Sequence, residues 1–358
     1  MIPVTKPFLP PVEEYQELLK GIWGRGWLTN NGPLVQQLEA QLKEYLSVEH
    51  LLYTNNGTFA LQIAIKALGL KGEIITTPFS YVATTGSIVW EGCTPVFVDI
   101  DAQTFNIDPT KIESAITPNT SAILATHCFG NACNIDAIET IATKYNLKVI
   151  YDAAHCFGTT YKGKNIFAYG DVSTTSFHAT KLFHSIEGGA VFTPSAQVYD
   201  RMKYMRNFGH DGPEKYNGVG INGKNSEFHA AMGLCVFNYL SKILSMRYQQ
   251  WEFYREALNR LPVQFLSIQE GCGFNYAYFP VVFKDERTLL AVKTALEENG
   301  ITPRRYFYPS LNSIGITPYK SCPISEVVSS RVLCLPMYHN LLKEEQIRII
   351  RIISDYVG

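Results

Sequence analysis

Lys181 is the first residue in this sequence placed to do chemistry. It stands in SFHATKLFHSIEGGA, after the run Val172–Phe177 and just before Gly188, Gly189, Ala190 and Val191. A lysine at a strand end beside close-packed backbone can shed its charge and form a Schiff base with a carbonyl. The competing reading is a solvated surface charge, the usual state of lysine. Asp152 closes LKVIYD and is followed by Ala153, Ala154 and His155. Ligands of parallel sheets bind beyond the carboxyl ends of the strands. A carboxylate there can keep a pyridinium nitrogen protonated, and that proton makes the ring an electron sink. Two other roles compete: a helix cap, or a metal pair with His155, for which no third ligand stands at diagnostic spacing. Asn56, Gly57 and Thr58 open the helical segment Thr58–Leu68. Free N–H groups at a helix start bind anions, and glycine lets a phosphate approach. Ser176 lies five residues before Lys181 and adds a hydroxyl. Taken singly, Gly57 is a turn and Ser176 a strand hydroxyl.

The elements that would carry these residues follow from the hydrophobic pattern. From about residue 51 to 194, short apolar runs alternate with helical segments. The runs are Glu73–Thr77, Pro95–Asp99, Ser121–Thr126, Leu147–Asp152, Val172–Phe177 and Gly189–Thr193; the helical segments are Thr58–Leu68, Tyr81–Glu91 and Ile135–Tyr145. Strands alternating with helices predict an α/β fold with a mostly parallel sheet covered on both faces. Pro33–Ser47 has helical spacing at Leu34, Leu38, Leu42, Tyr45 and Leu46. Residues 1–32, rich in Pro, Gly and Asn, are expected to form an irregular arm. Residues 209–225 read as a long Gly/Asn-rich loop, and loops of that length are functional or lie at an interface. Helices are expected at Ser226–Tyr239 and Leu240–Leu261. Beyond lies a smaller α+β part with a strand near Tyr276–Phe283 and helices at Arg287–Asn299 and Lys343–Tyr356. The expected division is 1–240 for the arm and large domain, and 241–358 for the small domain.

Composition sets the outer bounds. The 358 residues are 46% hydrophobic and 18% charged, enough for a sizeable core and against global disorder. A net charge of −1, without basic runs, argues against nucleic acid and against an anionic membrane as partners. MIPVTKPFLPP lacks the basic start and apolar run of a secretory leader, and no stretch approaches a spanning helix. The eight cysteines form no CxxC pair and no zinc-finger spacing, so they are expected as reduced thiols in a cytoplasmic protein.

A phosphate cradle, a strand-end Asp and a lysine on a later strand together form the layout of fold-type-I enzymes that use pyridoxal 5'-phosphate (PLP). The motifs TPFSYVAT, YDAAHCFG, SFHATKLFHSIEGGA, GINGKNSEFHAAMG and LCLPMYHNLLKEEQ, in that order, resemble the DegT/DnrJ/EryC1/StrS sugar aminotransferases along nearly the whole chain. The resemblance implies an aspartate-aminotransferase-like fold with a large PLP-binding domain and a small C-terminal α+β domain. It implies that Lys181 holds the cofactor and later shuttles the proton. Asp152 would pair with the ring nitrogen, and His155 would sit near the phenolic oxygen. Tyr81 takes the place of the aromatic stacked on the ring, although by itself it reads as a core aromatic. Gly57, Thr58 and Ser176 would hold the phosphate. Asn222, in GINGK, matches the Asn that reaches the phosphate from a neighbouring subunit, which implies a homodimer with a shared site. Lys224 replaces an Arg common in the family and loses its planar fork. RRYFYPSLN (304–312) lacks the His that many members carry there, so no sugar-binding role passes to it.

The resemblance further implies amino transfer from L-glutamate to a dTDP-linked ketosugar. Members acting at C-4 often carry Glu-Gly-Gly after the lysine, as Glu187, Gly188 and Gly189 do here. Many C-3 enzymes instead carry a Tyr-Pro-Gly-Lys type sequence. The expected conversion is therefore of dTDP-4-keto-6-deoxy-D-glucose to dTDP-4-amino-4,6-dideoxy-D-glucose, for surface polysaccharide such as O-antigen. The rivals are a C-3 aminotransferase on a dTDP-3-keto-6-deoxyhexose and a non-catalytic PLP- or sugar-binding protein. PLP-dependent sugar dehydratases replace the lysine by His, and Lys181 is present.

Overall fold

The computed structural model describes residues 1–357. Its centre is a seven-stranded sheet. The strands are β1 (His50–Thr54), β2 (Glu73–Thr76), β3 (Thr94–Phe97), β4 (Thr120–Thr126), β5 (Lys148–Asp152), β6 (Val172–Ser176) and β7 (Gly189–Thr193). Their order is β1-β7-β6-β5-β4-β2-β3. β7 runs antiparallel to both neighbours, and all other pairings are parallel. The carboxyl ends of β1, β5 and β6 and the amino end of β7 therefore share one edge: Gly189 lies opposite both Thr54 and Ser176, and Asp152 lies between Thr126 and Thr174.

The apolar runs are continuous because both faces are buried. Leu51, Tyr53, Ile123, Ala125, Val149 and Tyr151 point into one core, and Leu52, Ala122, Leu124 and Ile150 into the other. This is the period-2 alternation of a strand with both sides apolar. The first core is closed by α2 (Pro33–Leu46) through Leu34, Leu38, Leu42 and Leu46, and by α7 (Glu227–Phe237). The second is closed by α3 (Gly57–Ala67) through Phe59, Ala60, Ile63 and Ala64. Tyr45 falls outside this buried stripe and stacks on Phe157 at its rim, centroids 6.2 Å apart.

From Leu240 the chain leaves this sheet along α8 (Leu240–Leu258). It then builds a three-stranded antiparallel sheet from β8 (Gln264–Phe265), β9 (Pro280–Val282) and β10 (Val332–Cys334). Helices α9 (Glu286–Glu298) and α11 (Lys343–Val357) pack on it around Phe279, Val281, Leu289, Leu296, Leu333 and Ile349. Ile2 and Pro3 pair in parallel with Ile301 and Thr302, so the chain's start belongs to this second core.

One expectation is corrected. Residues 1–32 are not an irregular arm: α1 (Val12–Arg25) runs through them and buries Ile22, with Tyr15, Leu18 and Leu19 packed against the first core. Positions 15, 18, 19 and 22 are one helical stripe; the surrounding Pro, Gly and Asn residues masked it. Strand β1 and helices α6 (Ala196–Met205) and α10 (Pro323–Arg331) were likewise absent from the sequence reading.

Candidate active site

Lys181 lies on the connection between β6 and β7, and that connection is rigid. The Phe177 amide donates to the Gly188 carbonyl (2.8 Å), Ser185 N–H to the Phe177 carbonyl (2.9 Å), and Lys181 N–H to the His178 carbonyl (2.9 Å). Leu182 and Phe183, directly after this turn, are buried in the first core. The lysine is thereby pinned at a half-buried position. Desolvation lowers its amine to about 8, against the opposing pull of the Asp152 carboxylate.

Asp152 ends β5 and is 5% exposed. Its Oδ2 accepts from Thr84 Oγ1 (2.7 Å), and its Oδ1 from the Ala154 amide (3.2 Å). Burial pushes its carboxyl up, while Thr84, Ala154 and the Lys181 charge pull it down. No helix begins after Asp152, so the capping role fails. Among the described residues no group of three or more His, Cys, Asp and Glu side chains is placed to hold a metal ion. His155, also buried, accepts the Phe129 amide on Nδ1 (3.2 Å) and stacks near-parallel on Phe307. Burial and the Lys181 charge keep it neutral. With Nδ1 accepting, the proton sits on Nε2, which becomes a donor.

The loop before α3 faces β6 and β7 at very short range. Asn56 caps α3 by accepting the Phe59 amide on Oδ1 (2.8 Å). A Cβ on Gly57 would sit 2.9 Å from Ser176 Cβ, and one on Gly189 would sit 2.6 Å from the Asn56 carbonyl carbon. Only hydrogen fits at either place. The N–H groups at the start of α3 thus open beside the Ser176 side chain, as an anion cradle requires.

These residues line one cavity of about 270 Å³. Asn56, Gly57, Thr58, Tyr81, Asp152, His155, Ser176 and Lys181 all contribute to its wall. Tyr81 is 55% exposed at the start of α4 (Val82–Trp90), so it is not a core aromatic. Asn222 is the exception: it is exposed in the 209–225 loop, bridged to Asn207, and absent from this wall.

The sequence reading missed other parts of the wall. Arg304, Tyr306, Phe307 and Tyr278 close the cavity from the C-terminal part. Arg304 lies 4.7 Å over the Tyr306 ring, whereas Arg305 turns away to Glu286 Oε1 (2.6 Å) and the Ser330 carbonyl (2.9 Å). Adjacent Arg and aromatic residues in RRYF were the available signal. Glu187, of the Glu-Gly-Gly motif, also lines the cavity, 3.5 Å from His178 Nε2.

The donor set suits PLP: an amine of lowered basicity, a buried carboxylate, a neutral imidazole donor and a phosphate cradle that a Cβ would fill. Comparison with known proteins agrees. The DegT/DnrJ/EryC1/StrS aminotransferase family matches residues 11–354. A dTDP-4-amino-4,6-dideoxy-D-glucose transaminase of Shigella dysenteriae is 44% identical over 345 residues, 94% of each chain. A protein of the same name from Escherichia coli is 40% identical over 98% of each. The crystal structure of DesI in the presence of its TDP-sugar product superposes with a TM-score of 0.93 at 33% identity, over 98% of this chain and 92% of that one. The fold is that of the fold-type-I sugar aminotransferases, as expected. The chain therefore belongs to the DegT/DnrJ/EryC1/StrS aminotransferase family and is a PLP-dependent aminotransferase.

Proposed function

We propose that this enzyme transfers the amino group of L-glutamate to C-4 of dTDP-4-keto-6-deoxy-D-glucose. The products are dTDP-4-amino-4,6-dideoxy-D-glucose and 2-oxoglutarate. The observation that carries the reading is the convergence of Lys181 and Asp152 in one cavity beside the Gly57–Ser176 cradle. The names of the two relatives at 44% and 40% identity support the sugar, and Glu187, Gly188 and Gly189 match the Glu-Gly-Gly that members acting at C-4 often carry.

When bound, PLP supplies the electron sink for the pair left on the donor's α carbon. The chain's residues do the rest. Lys181 Nζ takes the proton from that carbon and, in the second half-reaction, delivers one to the sugar carbon. The water consumed in the first half is released in the second. Asp152 would hold the ring nitrogen protonated. His155 would donate Nε2–H to the phenolic oxygen. Gly57 and Thr58 amides with the Ser176 hydroxyl would hold the phosphate, and Tyr81 would cover the ring. The large, cofactor-binding part ends at about residue 240, and the smaller part closes the cavity with Arg304 and Tyr306.

The site is completed by a second copy of the chain, whose Asn222 reaches the phosphate. Supporting this are the exposed apolar side chains of the 209–225 loop and its surroundings: Phe208, Tyr216, Val219 and Ile221, with Trp23 and Trp90 elsewhere. No helix among the described residues is long and apolar enough to cross a membrane. We place the enzyme in the cytoplasm, feeding surface polysaccharide synthesis.

The deciding experiment incubates the PLP-loaded enzyme with glutamate and, in parallel, a 4-keto and a 3-keto dTDP-6-deoxyhexose, and analyses the products by NMR. A new amine-bearing carbon at C-4 only is expected. Amination at C-3 alone overturns the regiochemistry, and no amination of either sugar overturns the substrate.

A further inference from the structure

Three hydroxyls behind Asp152 form a chain that the proposed reaction does not yet use. Thr84 Oγ1 donates to Asp152 Oδ2 at 2.7 Å. Ser80 Oγ lies 2.7 Å from Thr84 Oγ1 and 3.0 Å from Thr126 Oγ1. All four residues are buried, and they come from the end of β4, the start of α4, the loop before it and the end of β5.

The direction of this chain follows from proton counting. A carboxylate only accepts, and each hydroxyl has one proton. Thr84 gives its proton to Asp152, so it must accept from Ser80. Ser80 has then used its own proton and must accept from Thr126. The order Thr126 to Ser80 to Thr84 to Asp152 is the one arrangement that satisfies every contact. Donors aligned in series polarise one another, and inside a protein each bond is stronger than in water.

A buried carboxylate needs such help. Of the charged groups facing Asp152, Lys181 is the cation, and the lysine is itself pushed toward neutrality. The thiols of Cys128 and Cys156, also facing it, are held neutral by burial. Tyr81, at the start of α4, faces Lys181.

We infer that Thr84 is a positioning residue for the cofactor: oriented by Ser80 and Thr126, it keeps Asp152 ionised and turned so that the carboxylate can hold the ring nitrogen's proton. This rests on the proposed pairing of Asp152 with that nitrogen.

The test loads the whole enzyme with PLP labelled with ¹⁵N in the ring and reads the nitrogen resonance, the cofactor dissociation constant and the rate of the glutamate half-reaction. Thr84→Val removes the donor and keeps the shape. Without it the carboxylate becomes a better base and takes the shared proton, so the ¹⁵N resonance moves toward the unprotonated position. A hydrogen bond to a charged group is lost, and the half-reaction should slow by about ten- to a hundredfold. Thr84→Ser should restore both. Ser80→Ala leaves Thr84 its proton but not its orientation, and should shift both readouts the same way by less.

A wild-type resonance and rate in Thr84→Val overturns the inference. So does Thr84→Ser behaving like Thr84→Val: a donor put back that restores neither readout would mean that the side chain's fit, not its proton, matters there. Where Thr84→Val does not fold, Ser80→Ala decides, and an unchanged resonance there overturns the inference equally. Asp152→Asn is run alongside. If it leaves the nitrogen protonated, the pairing itself fails; if it moves the resonance and Thr84→Val does not, only the role of Thr84 fails.

Discussion

Lys181 and Asp152 are adjusted in opposite senses by the same burial. Desolvation lowers the lysine to about 8 and raises the carboxyl. The lysine is thus near the working pH for giving and taking a proton, which is where a general base is most effective. A pH dependence follows. The nucleophile that takes up PLP is the free amine, and below its midpoint the free fraction falls about tenfold per pH unit. The rate at which PLP-free enzyme acquires the visible band should therefore rise with pH and level off near 8. A profile still rising through pH 9 and 10 would mean an ordinary solvated lysine. For Asp152→Asn the prediction separates catalysis from folding. An amide cannot hold a proton on the ring nitrogen, and losing one such preorganised electrostatic partner costs about a hundred- to a thousandfold in kcat. Stability should hold or rise, because the variant no longer buries a charge. A melting temperature that falls steeply with little loss of rate would make Asp152 a structural residue.

At the scale of elements, the site depends on how closely three backbones meet. β7 passes the Asn56–Gly57 loop so tightly that a methyl group on Gly189 would overlap the Asn56 carbonyl carbon at 2.6 Å. Gly189→Ala must therefore push β7 and the loop apart, at a cost of about 1–3 kcal/mol. The displacement falls on the proposed phosphate cradle. Weaker PLP retention on dialysis and a lower melting temperature are expected together; unchanged retention would show that the loop is not the cradle. Much of this architecture was legible in the sequence. The runs ending at Thr126 and Asp152 are apolar on both faces, and that pattern predicts central parallel strands, whereas Val172–Phe177 is buried but mostly Ser and Thr. Asp152 and Gly57 stand at element ends, where the pattern breaks, and Lys181 lies in the short connection between β6 and the Gly-Gly start of β7. Helix α1 was hidden by the Pro and Gly residues around it, although Tyr15, Leu18, Leu19 and Ile22 carried the stripe. Thr84 was not legible and Arg304 only weakly so, through the RRYF run, for a physical reason. One is a threonine in an apolar helix and the other an arginine in a run of aromatics. Thr84 meets Asp152 68 residues along the chain, and Arg304 faces a cavity whose Lys181 is more than 100 residues away, so only the folded chain brings each to its place.

At the scale of the whole molecule, the position of Asn222 decides how many chains a complete site needs. Asn222 lies outside the cavity wall of its own chain, exposed on a loop that carries Tyr216, Val219 and Ile221 at the surface. In a symmetric dimer the same patch meets itself, and each copy can lend Asn222 to the other. This arrangement is testable by exchange. Lys181→Ala should abolish every site in its own homodimer. An Asn222→Ala homodimer keeps Lys181 but holds phosphate weakly, and should turn over poorly at limiting PLP. After mixing in equal amounts and exchanging subunits, half of the dimers are mixed. In each of these, one site combines Lys181 from one chain with Asn222 from the other, and the second site lacks both. About a quarter of all sites should then be intact, and activity at limiting PLP should climb from near zero toward that fraction as exchange proceeds. Were the two residues to act within one chain, every site in the mixture would lack one of them, and no activity would return however complete the exchange. Recovery proportional to the mixed-dimer fraction, measured by native mass spectrometry on the same samples, is the outcome the shared site requires.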